Sequence, residues 1–331
     1  MKKVLLTTTA LVMTAGVAAA DVSFSGEAGI AFVDDNGASA AAAAIANSVA
    51  TRNTANGNTA ATAADATSVA AGAAARAGRD GMFVASHYDM NVAISAEASN
   101  GLTMSAGFDM GSGEKIDYDD DDALEVQGQT VGDADVAVSY GGWTLTVDQN
   151  GIDNLFDDDQ QEDLSIAGSI GGMSVAVTTD LENSTNSYSL GLSLGDAAIT
   201  LTGTNNDDAG GDASGISVSY PMGALTLSAS VADESDDGED DTTIGLTYAM
   251  DAITVSYTSI TPGSAGSMGD EWDAKISYAA GAMSASIALD EADATTMIAE
   301  YDLGGATAFA AMHDKPGTAS DLTAFGVNFK F

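Results

Sequence analysis

The sequence contains no cysteine and has little proline, few aromatic residues and very few bases. Its 331 residues include 3 Pro, 6% aromatic residues and 9 Lys+Arg against 49 Asp+Glu, which gives a formal net charge of −40. The absence of cysteine excludes disulfides, thiolate metal sites and cysteine nucleophiles. The shortage of Lys and Arg excludes a nucleic-acid-binding protein, because phosphate contacts depend on these side chains.

The composition that remains indicates a folded all-β chain. Hydrophobic residues make up 45% of the sequence, so its acidity is not that of a disordered, apolar-poor segment. The 37 glycines and the abundant Ser and Thr are typical of many short strands joined by tight turns. The length allows one large β domain or two ordinary ones.

The N-terminus has the three parts of a signal peptide. Lys2 and Lys3 form a basic start, residues 4–17 are mostly apolar, and Ala18–Ala20 fit the small-residue cleavage rule. We therefore predict that residues 1–20 are removed on export, which leaves seven bases against 49 acids and a net charge of −42. No later apolar run approaches the roughly 18–20 residues of a membrane-spanning helix.

The chain repeats short segments in which apolar and polar residues alternate. In Tyr188–Leu194 a Tyr and three Leu share one face of a strand, and Ser and Gly share the other. The polar positions are mostly Ser, Thr, Gly and Ala instead of Lys, Arg and Glu. This favours a barrel with a polar lumen and a lipid-facing outer surface over a soluble sandwich. The same pattern recurs in Met173–Val177, Ile199–Leu201, Ile216–Tyr220, Leu225–Val231 and Ile253–Tyr257.

The connections between these segments are alternately short and long. The long ones carry acidic runs, at 117–122, 157–163, 205–212 and 233–241. Tight turns at one rim and longer external loops at the other are typical of outer-membrane barrels. Eight short connections are predicted, at Ser99–Gly101, Gly141–Gly142, Gly171–Gly172, Gly195–Asp196, Pro221–Gly223, Met250–Asp251, Ala279–Gly281 and Leu303–Gly305.

Aromatic residues accompany the short connections. Tyrosine precedes five of them and a tryptophan follows one. We interpret these residues as an aromatic girdle at the periplasmic membrane interface, where a ring is apolar and its hydroxyl stays wet. The ordinary β propensity of Tyr is the alternative explanation. The predicted girdle consists of Tyr140, Trp143, Tyr220, Tyr248, Tyr278 and Tyr301.

The last segment ends on an aromatic residue. Phe325, Val327, Phe329 and Phe331 fall on one face of an alternating strand. Such a strand resembles the assembly signal of outer-membrane β-barrels. The stretch 135–156 is similar to the hairpin that leads into the third loop of alphaproteobacterial, Rhodobacter-type porins. Together with the hairpin repeat, this resemblance covers most of residues 21–331, which we treat as one barrel domain. The Ala/Thr/Asn-rich stretch 34–81 is interpreted as an enlarged first external loop.

The resemblance implies sixteen strands, a homotrimer and an inward-folded third loop whose acids narrow the pore. Eight short turns plus a strand at each terminus give eighteen strands instead, so both even counts stay open, and Gly171–Gly172 or Gly195–Asp196 could belong to a loop hairpin. The constriction is predicted at about 148–163. By resemblance its carboxylates are Asp148, Asp153, Asp157, Asp158 and Asp159.

The basic cluster that faces those acids in the family is hard to find in this sequence. Arg76 and Arg79 could supply wall charge from the first loop, or be ordinary solvent-exposed loop residues. The strand positions expected to line the lumen are mainly Ser and Thr. An acidic mouth above a neutral wall predicts a cation-selective channel for ions and small hydrophilic solutes.

Other readings of the same features lead to other functions. The acidic loops could associate diffusely with Ca²⁺ or Mg²⁺ and bridge to lipopolysaccharide, but no run matches a specific metal loop, and no cofactor is expected. The two histidines, His87 and His313, lie in no nucleophile motif, so no enzyme is expected. A secreted acidic Ca²⁺-associating β-structural or adhesive surface protein is the alternative, and a barrel that anchors the envelope without conducting is a third possibility. The favoured reading places the chain in the outer membrane of a Gram-negative cell, assembled there by the barrel assembly machinery.

Overall fold

The alternating segments of the sequence form the strands of a single sheet. A computed structural model describes residues 20–35, 81–118, 124–157, 160–206, 211–233, 240–262, 271–314 and 321–331. Within these ranges no helix is present, and none that could span a membrane is found. The strands are β1 Asp21–Asp35, β2 Gly81–Glu97, β3 Thr103–Asp117, β4 Glu125–Val131, β5 Asp135–Tyr140, β6 Trp143–Asp153, β7 Gln161–Ile170, β8 Met173–Thr179, β9 Thr185–Leu194, β10 Ala197–Asn206, β11 Gly211–Met222, β12 Leu225–Asp233, β13 Asp240–Met250, β14 Ile253–Thr261, β15 Glu271–Ala280, β16 Met283–Asp290, β17 Thr295–Asp302, β18 Ala306–Asp314 and β19 Leu322–Lys330.

The sheet closes on itself as an antiparallel barrel. Except for β4 and β5, consecutive strands pair with each other, and β1 pairs with both β2 and β19. The segments β4 and β5 both pair with β3, end to end, so they are two parts of one strand and the wall has 18 strands. The barrel predicted from the sequence is confirmed. The eighteen strands counted from the short turns are confirmed, and the sixteen strands implied by the family resemblance are wrong for this chain.

The eight short connections predicted from the sequence lie at one rim, together with the C-terminus. At the β5–β6 turn, Gly141 and Gly142 have φ of 61° and 84°, the left-handed conformation that a two-residue hairpin needs. Gly171–Gly172 and Gly195–Asp196 also join wall strands, so neither belongs to a loop hairpin. The β11–β12 turn is shifted by comparison with the prediction, because Pro221 and Met222 still pair within the sheet.

The longer connections lie at the opposite rim. The predicted first loop is slightly too wide at both ends, because β1 extends to Asp35 and β2 begins at Gly81. Residues 36–80 lie outside the described part of the chain, as does the predicted signal peptide apart from Ala20. Of the predicted constriction segment, 148–153 and 161–163 are strand, and the connection itself is Asn154–Gln160.

The two faces of the wall differ in chemistry. On β13, Ile244, Leu246, Tyr248 and Met250 are exposed on the outer surface and alternate with inward Thr and Gly. Other strands repeat this arrangement with Val, Leu, Ile and Met outside. The apolar surface of the barrel is therefore outside, and its inner face is largely small and polar.

Candidate functional site in the barrel lumen

The inner wall carries charge of both signs, with acids in excess. Three lysines of the described residues face the lumen: Lys275 alternates with exposed Ile276, Lys330 lies between exposed Phe329 and Phe331, and Lys115 reaches the inward Glu27 at 3.5 Å. The expectation of an almost uncharged wall was wrong. The alternation itself could have predicted two of these inward positions, because Lys275 and Lys330 each lie beside apolar residues that face outward. Inward acids include Glu27, Asp89, Asp109, Asp135, Asp273 and Glu300.

The described part of the Asn154–Gln160 connection, residues 154–157 and 160, folds onto the inner wall. The side-chain amide of Asn154 donates to Glu162 Oε1 at 2.7 Å and to Thr204 Oγ1 at 3.2 Å. Its oxygen accepts the backbone N–H groups of Phe156 and Asp157. Asn154 thus ties the connection to β7 and β10, and the ring of Phe156 reaches Gly215 of β11.

Hydroxyl groups of the wall complete this attachment. The backbone N–H of Leu155 donates to Ser187 Oγ at 2.8 Å, and Ser187 is in turn hydrogen-bonded to Thr178. Both hydroxyl residues are fully buried beneath the connection. Glu162 is 1% exposed, and its Oε2 has no hydrogen-bond partner among the described residues. The strands β7–β10 therefore present a polar surface that hydrogen-bonds this connection.

The three predicted constriction carboxylates within the described residues, Asp148, Asp153 and Asp157, do not form one group. Asp148 lies in a bulge of β6, with its carboxylate turned onto Gly151 and near Asp135. Asp153 is the exposed last residue of β6, paired with Gln161. Of the three described carboxylates, Asp157 is the one that lies in the inward connection. It accepts from Gln160 Nε2 at 2.8 Å and borders a cavity of about 290 Å³ against β10–β12. Asp158, Asp159, Arg76 and Arg79 lie outside the described residues.

A second segment also enters the lumen, and the sequence interpretation missed it. We call it the inner hairpin: its arms are Gly113–Tyr118 and Leu124–Gln129, from β3 and β4. The β2–β3 pairing stops at Gly113, which has φ of 95°, and the β3–β4 register shifts just before it. The arms that flank residues 119–123 therefore turn inward, whereas the run 117–122 was expected to be an external loop.

The inner hairpin packs on an apolar patch of the wall. Its Ile116, Tyr118 and Leu124 form one buried cluster with inward residues of β1, β2, β18 and β19. Such a patch cannot be distinguished from ordinary strand residues in the sequence, because the partner that covers it comes from a distant segment. The wall members of the patch are Ala31, Val33, Ala85, Phe309, Ala311, Leu322 and Ala324.

Two polar contacts flank this cluster. The Tyr118 hydroxyl donates to Glu300 Oε1 at 3.1 Å, and the other oxygen of Glu300 accepts from Ser284 at 3.0 Å. On the other side, Glu27 Oε1 lies 3.5 Å from Lys115 Nζ and 3.3 Å from His87 Nε2. The inner hairpin is thus held to β17 and to β1.

The histidines have structural partners. His87 lies within β2 and is buried against Glu27. His313 lies at the end of β18, and its Nδ1 is 2.9 Å from Thr296 Oγ1. Across the described ranges, no group of three or more His, Asp or Glu side chains is arranged to hold a metal ion.

The connection between β8 and β9 contains a well-organised carboxylate. Asp180 accepts hydrogen bonds from the backbone and side-chain nitrogens of Asn183 and from the backbone N–H of Glu182. These donors, Asn183 first, hold the pKa of the Asp180 carboxyl below its usual range. The carboxylate therefore closes this loop at neutral pH.

The aromatic residues singled out in the sequence lie on the outer face. All six residues of the predicted girdle are next to the short turns, and Trp143 covers Gly168 of the neighbouring β7. Phe325, Phe329 and Phe331 are exposed on the outer face of β19 with Val327 between them. A second aromatic group lies toward the other rim, where Tyr257 stacks on Trp272 with centroids 6.4 Å apart.

Comparison with known proteins gives a likeness of fold. No family model and no curated protein matches the sequence. Two solved structures of Rh. blastica porin variants match across 94% of this chain and 100% of theirs, one with a TM-score of 0.52 at 18% identity and one with 0.51 at 17%. A third solved structure, described as an engineered protein of asymmetric conductivity, has a TM-score of 0.52 at 17% identity. The chain is therefore a β-barrel with the porin fold.

Proposed function

We propose that this protein is a passive diffusion channel of the outer membrane for ions and small hydrophilic solutes. The observation that carries the proposal is the closed wall with an apolar outer face and a polar, charged inner face. Such a wall matches lipid on one side and water on the other. Transport then depends on lumen width and field, with no bond chemistry. The Rh. blastica porins of the same fold support this function.

We further propose that the channel prefers cations. Inward acids outnumber inward lysines on the described strands, and Glu27 is already paired with Lys115. A negative lumen concentrates cations and repels anions. The test is single-channel recording of Asp109→Asn/Asp135→Asn, which removes two inward charges. The matched control is Asp196→Asn/Asp251→Asn, which removes two charges at the turn rim. Only the first pair is expected to lower the cation-to-anion permeability ratio.

Location in the outer membrane follows from the same surface. The signal peptide at 1–20, assembly through the terminal Phe-rich strand and contact with lipopolysaccharide are parts of this proposal. Cell fractionation tests it. A barrel stays in the outer-membrane fraction and changes its gel mobility on boiling, whereas the alternative, a secreted Ca²⁺-associating surface protein, leaves with the periplasm or the medium. Diffuse binding of Ca²⁺ or Mg²⁺ to the acidic loops can be measured separately by equilibrium dialysis.

We also propose a homotrimer. A shallow apolar groove on the β16–β19 side of the wall supports contact between copies, because its lining combines small and large apolar residues. Cross-linking in detergent followed by mass analysis tests the number of subunits. The lining includes Ala285, Ile287, Met297, Ala299, Ala310, Met312 and Phe325.

A further inference from the structure

We propose that the inner hairpin is a plug that narrows the pore, and that Tyr118, Phe309 and Glu300 position it against the wall. This inference rests on the proposed channel function. It assigns the narrowing of the lumen to two segments, the inner hairpin and the Asn154–Gln160 connection, where the sequence predicted only the second.

The wall beneath the inner hairpin is an apolar patch that needs an apolar segment to cover it. Most inward positions of the barrel are Ser, Thr, Gly or charged, but here Val33 is 0% exposed and Ala324 is 1% exposed. Without a cover these residues would expose apolar surface to the water of the lumen, which is unfavourable. Ile116 and Leu124 of the inner hairpin supply that cover. The occupant of the patch is thus a segment of this chain.

The inner hairpin also spans a large part of the wall. It leaves the sheet at β3, and Tyr118 reaches Glu300 on β17, five strand-to-strand steps away around a wall of 18. Neighbouring strands are about 4.8 Å apart, so this path covers roughly 24 Å of the inner surface. An inward segment that covers this much of the wall reduces the open cross-sectional area of the lumen.

The Asn154–Gln160 connection attaches to the opposite wall. Its contacts, Ser187, Thr204 and Gly215, lie on β9, β10 and β11. In the order of the strands, β10 is nine steps from β19, which is halfway around the barrel. The free passage therefore runs between two inward segments, one attached by apolar packing and the other by hydrogen bonds.

Two polar contacts, Tyr118 to Glu300 and Lys115 to Glu27, hold the inner hairpin against the wall. Tyr118 donates to a carboxylate, and a hydrogen bond to a charged group is among the stronger ones in proteins. Its ring also lies on Phe309, with centroids 4.8 Å apart. The chain has no cysteine, so a single introduced cysteine reports directly on what the inner hairpin covers.

The test uses Val33→Cys in protein reconstituted into liposomes, with a small charged thiosulfonate reagent and mass detection of the labelled chain. Ser25→Cys is the matched control, because it is an exposed inward residue of the same strand. Ala324→Cys repeats the test in the same patch on another strand. We expect Ser25→Cys to react and both patch cysteines to be protected. Adding Tyr118→Phe, which keeps the ring and removes the donor, should speed labelling of the patch cysteines roughly tenfold.

The second readout is single-channel conductance. Tyr118→Ala with Glu300→Gln should raise the conductance or make it fluctuate between two levels. Labelling of Val33→Cys as fast as Ser25→Cys would overturn the docked hairpin, and unchanged conductance in the released variant would overturn its role as a plug. If no variant conducts while the patch stays protected, the failure lies with the proposed channel function instead. The labelling rates thus test the packing of the inner hairpin separately from the proposed channel function, which the conductance tests.

Discussion

Tyr118 stacks on Phe309 with ring centroids 4.8 Å apart and an interplanar angle of 29°. Tyr118 follows β3 and Phe309 belongs to β18, which is four strands away around the wall. Rings from such distant strands meet only because the chain after Gly113 turns into the lumen. This contact is the centre of the buried cluster and gives the first prediction.

Phe309→Ala should lower the free energy of unfolding by about 3 kcal/mol, because it leaves a cavity beneath Tyr118 and the neighbouring Ala311. The measurement is the urea midpoint of the folded, heat-modifiable band. Thr307→Ala, an inward position of the same strand, is the control and should change the midpoint little. Equal midpoints for the two variants would show that the cluster does not stabilise the barrel.

Asn154→Ala should loosen the connection on the opposite wall. The substitution removes the donor to buried Glu162 Oε1 and the acceptor of two backbone N–H groups, at a cost of about 2 kcal/mol. Limited proteolysis should then cut near residues 155–160 faster than in the parent protein. Asn91→Ala, an exposed position on the inner face of β2, should leave the cleavage rate unchanged. Equal rates in both variants would contradict the role given to Asn154.

Gly26→Ala should impair closure of the barrel. The backbones of Gly26 and Phe331 exchange two hydrogen bonds of 3.0 Å where β1 meets the end of the chain. A Cβ at Gly26 would collide with the Asp89 carbonyl and the Phe331 ring. The yield of heat-modifiable barrel should fall in Gly26→Ala and be retained in Ala28→Gly, a change on the same face of the same strand. An undiminished yield in Gly26→Ala would contradict the packing described.

The loop closed by Asp180 should open in acid. Because hydrogen bonds depress the pKa of Asp180 in the folded protein, its stabilising contribution is complete above the ordinary Asp pKa of about 4. That contribution is lost as the pH falls through the lower folded value. The protection factors of the amides of Glu182 and Asn183, which are exchange rates corrected for the intrinsic effect of pH, should fall in acid with a midpoint below 4. In Asp180→Asn these protection factors should be lower and independent of pH over this range. A midpoint at or above 4 in the parent protein would contradict the assignment.

The sequence predicts the wall of this barrel better than its interior. Local alternation and turn glycines such as Gly141 and Gly142 report on strands and hairpins, because each depends on neighbours in the chain. The same alternation also predicts that Lys275 faces the lumen, because it lies between apolar positions of β15 that face outward.

The interior depends on contacts between distant segments. Ile116, Tyr118 and Leu124 have no local feature that distinguishes a buried hairpin from an external loop, and the acidic residues between them favoured the loop. Likewise, Asn154 is one polar residue among many until Glu162 and Thr204 are placed beside it. Of the five acids that the family resemblance singled out, Asp148 and Asp153 remain on β6.

The reversal potential of the purified protein in a planar bilayer, under a salt gradient of KCl, tests the central claim most directly. An open channel with an acidic lumen should give a reversal potential of the sign set by K⁺. The magnitude of this potential should be smaller in Asp109→Asn/Asp135→Asn. A reversal potential of the sign set by Cl⁻ would contradict the proposed selectivity, and a bilayer that stays silent with folded, inserted protein would contradict the channel itself.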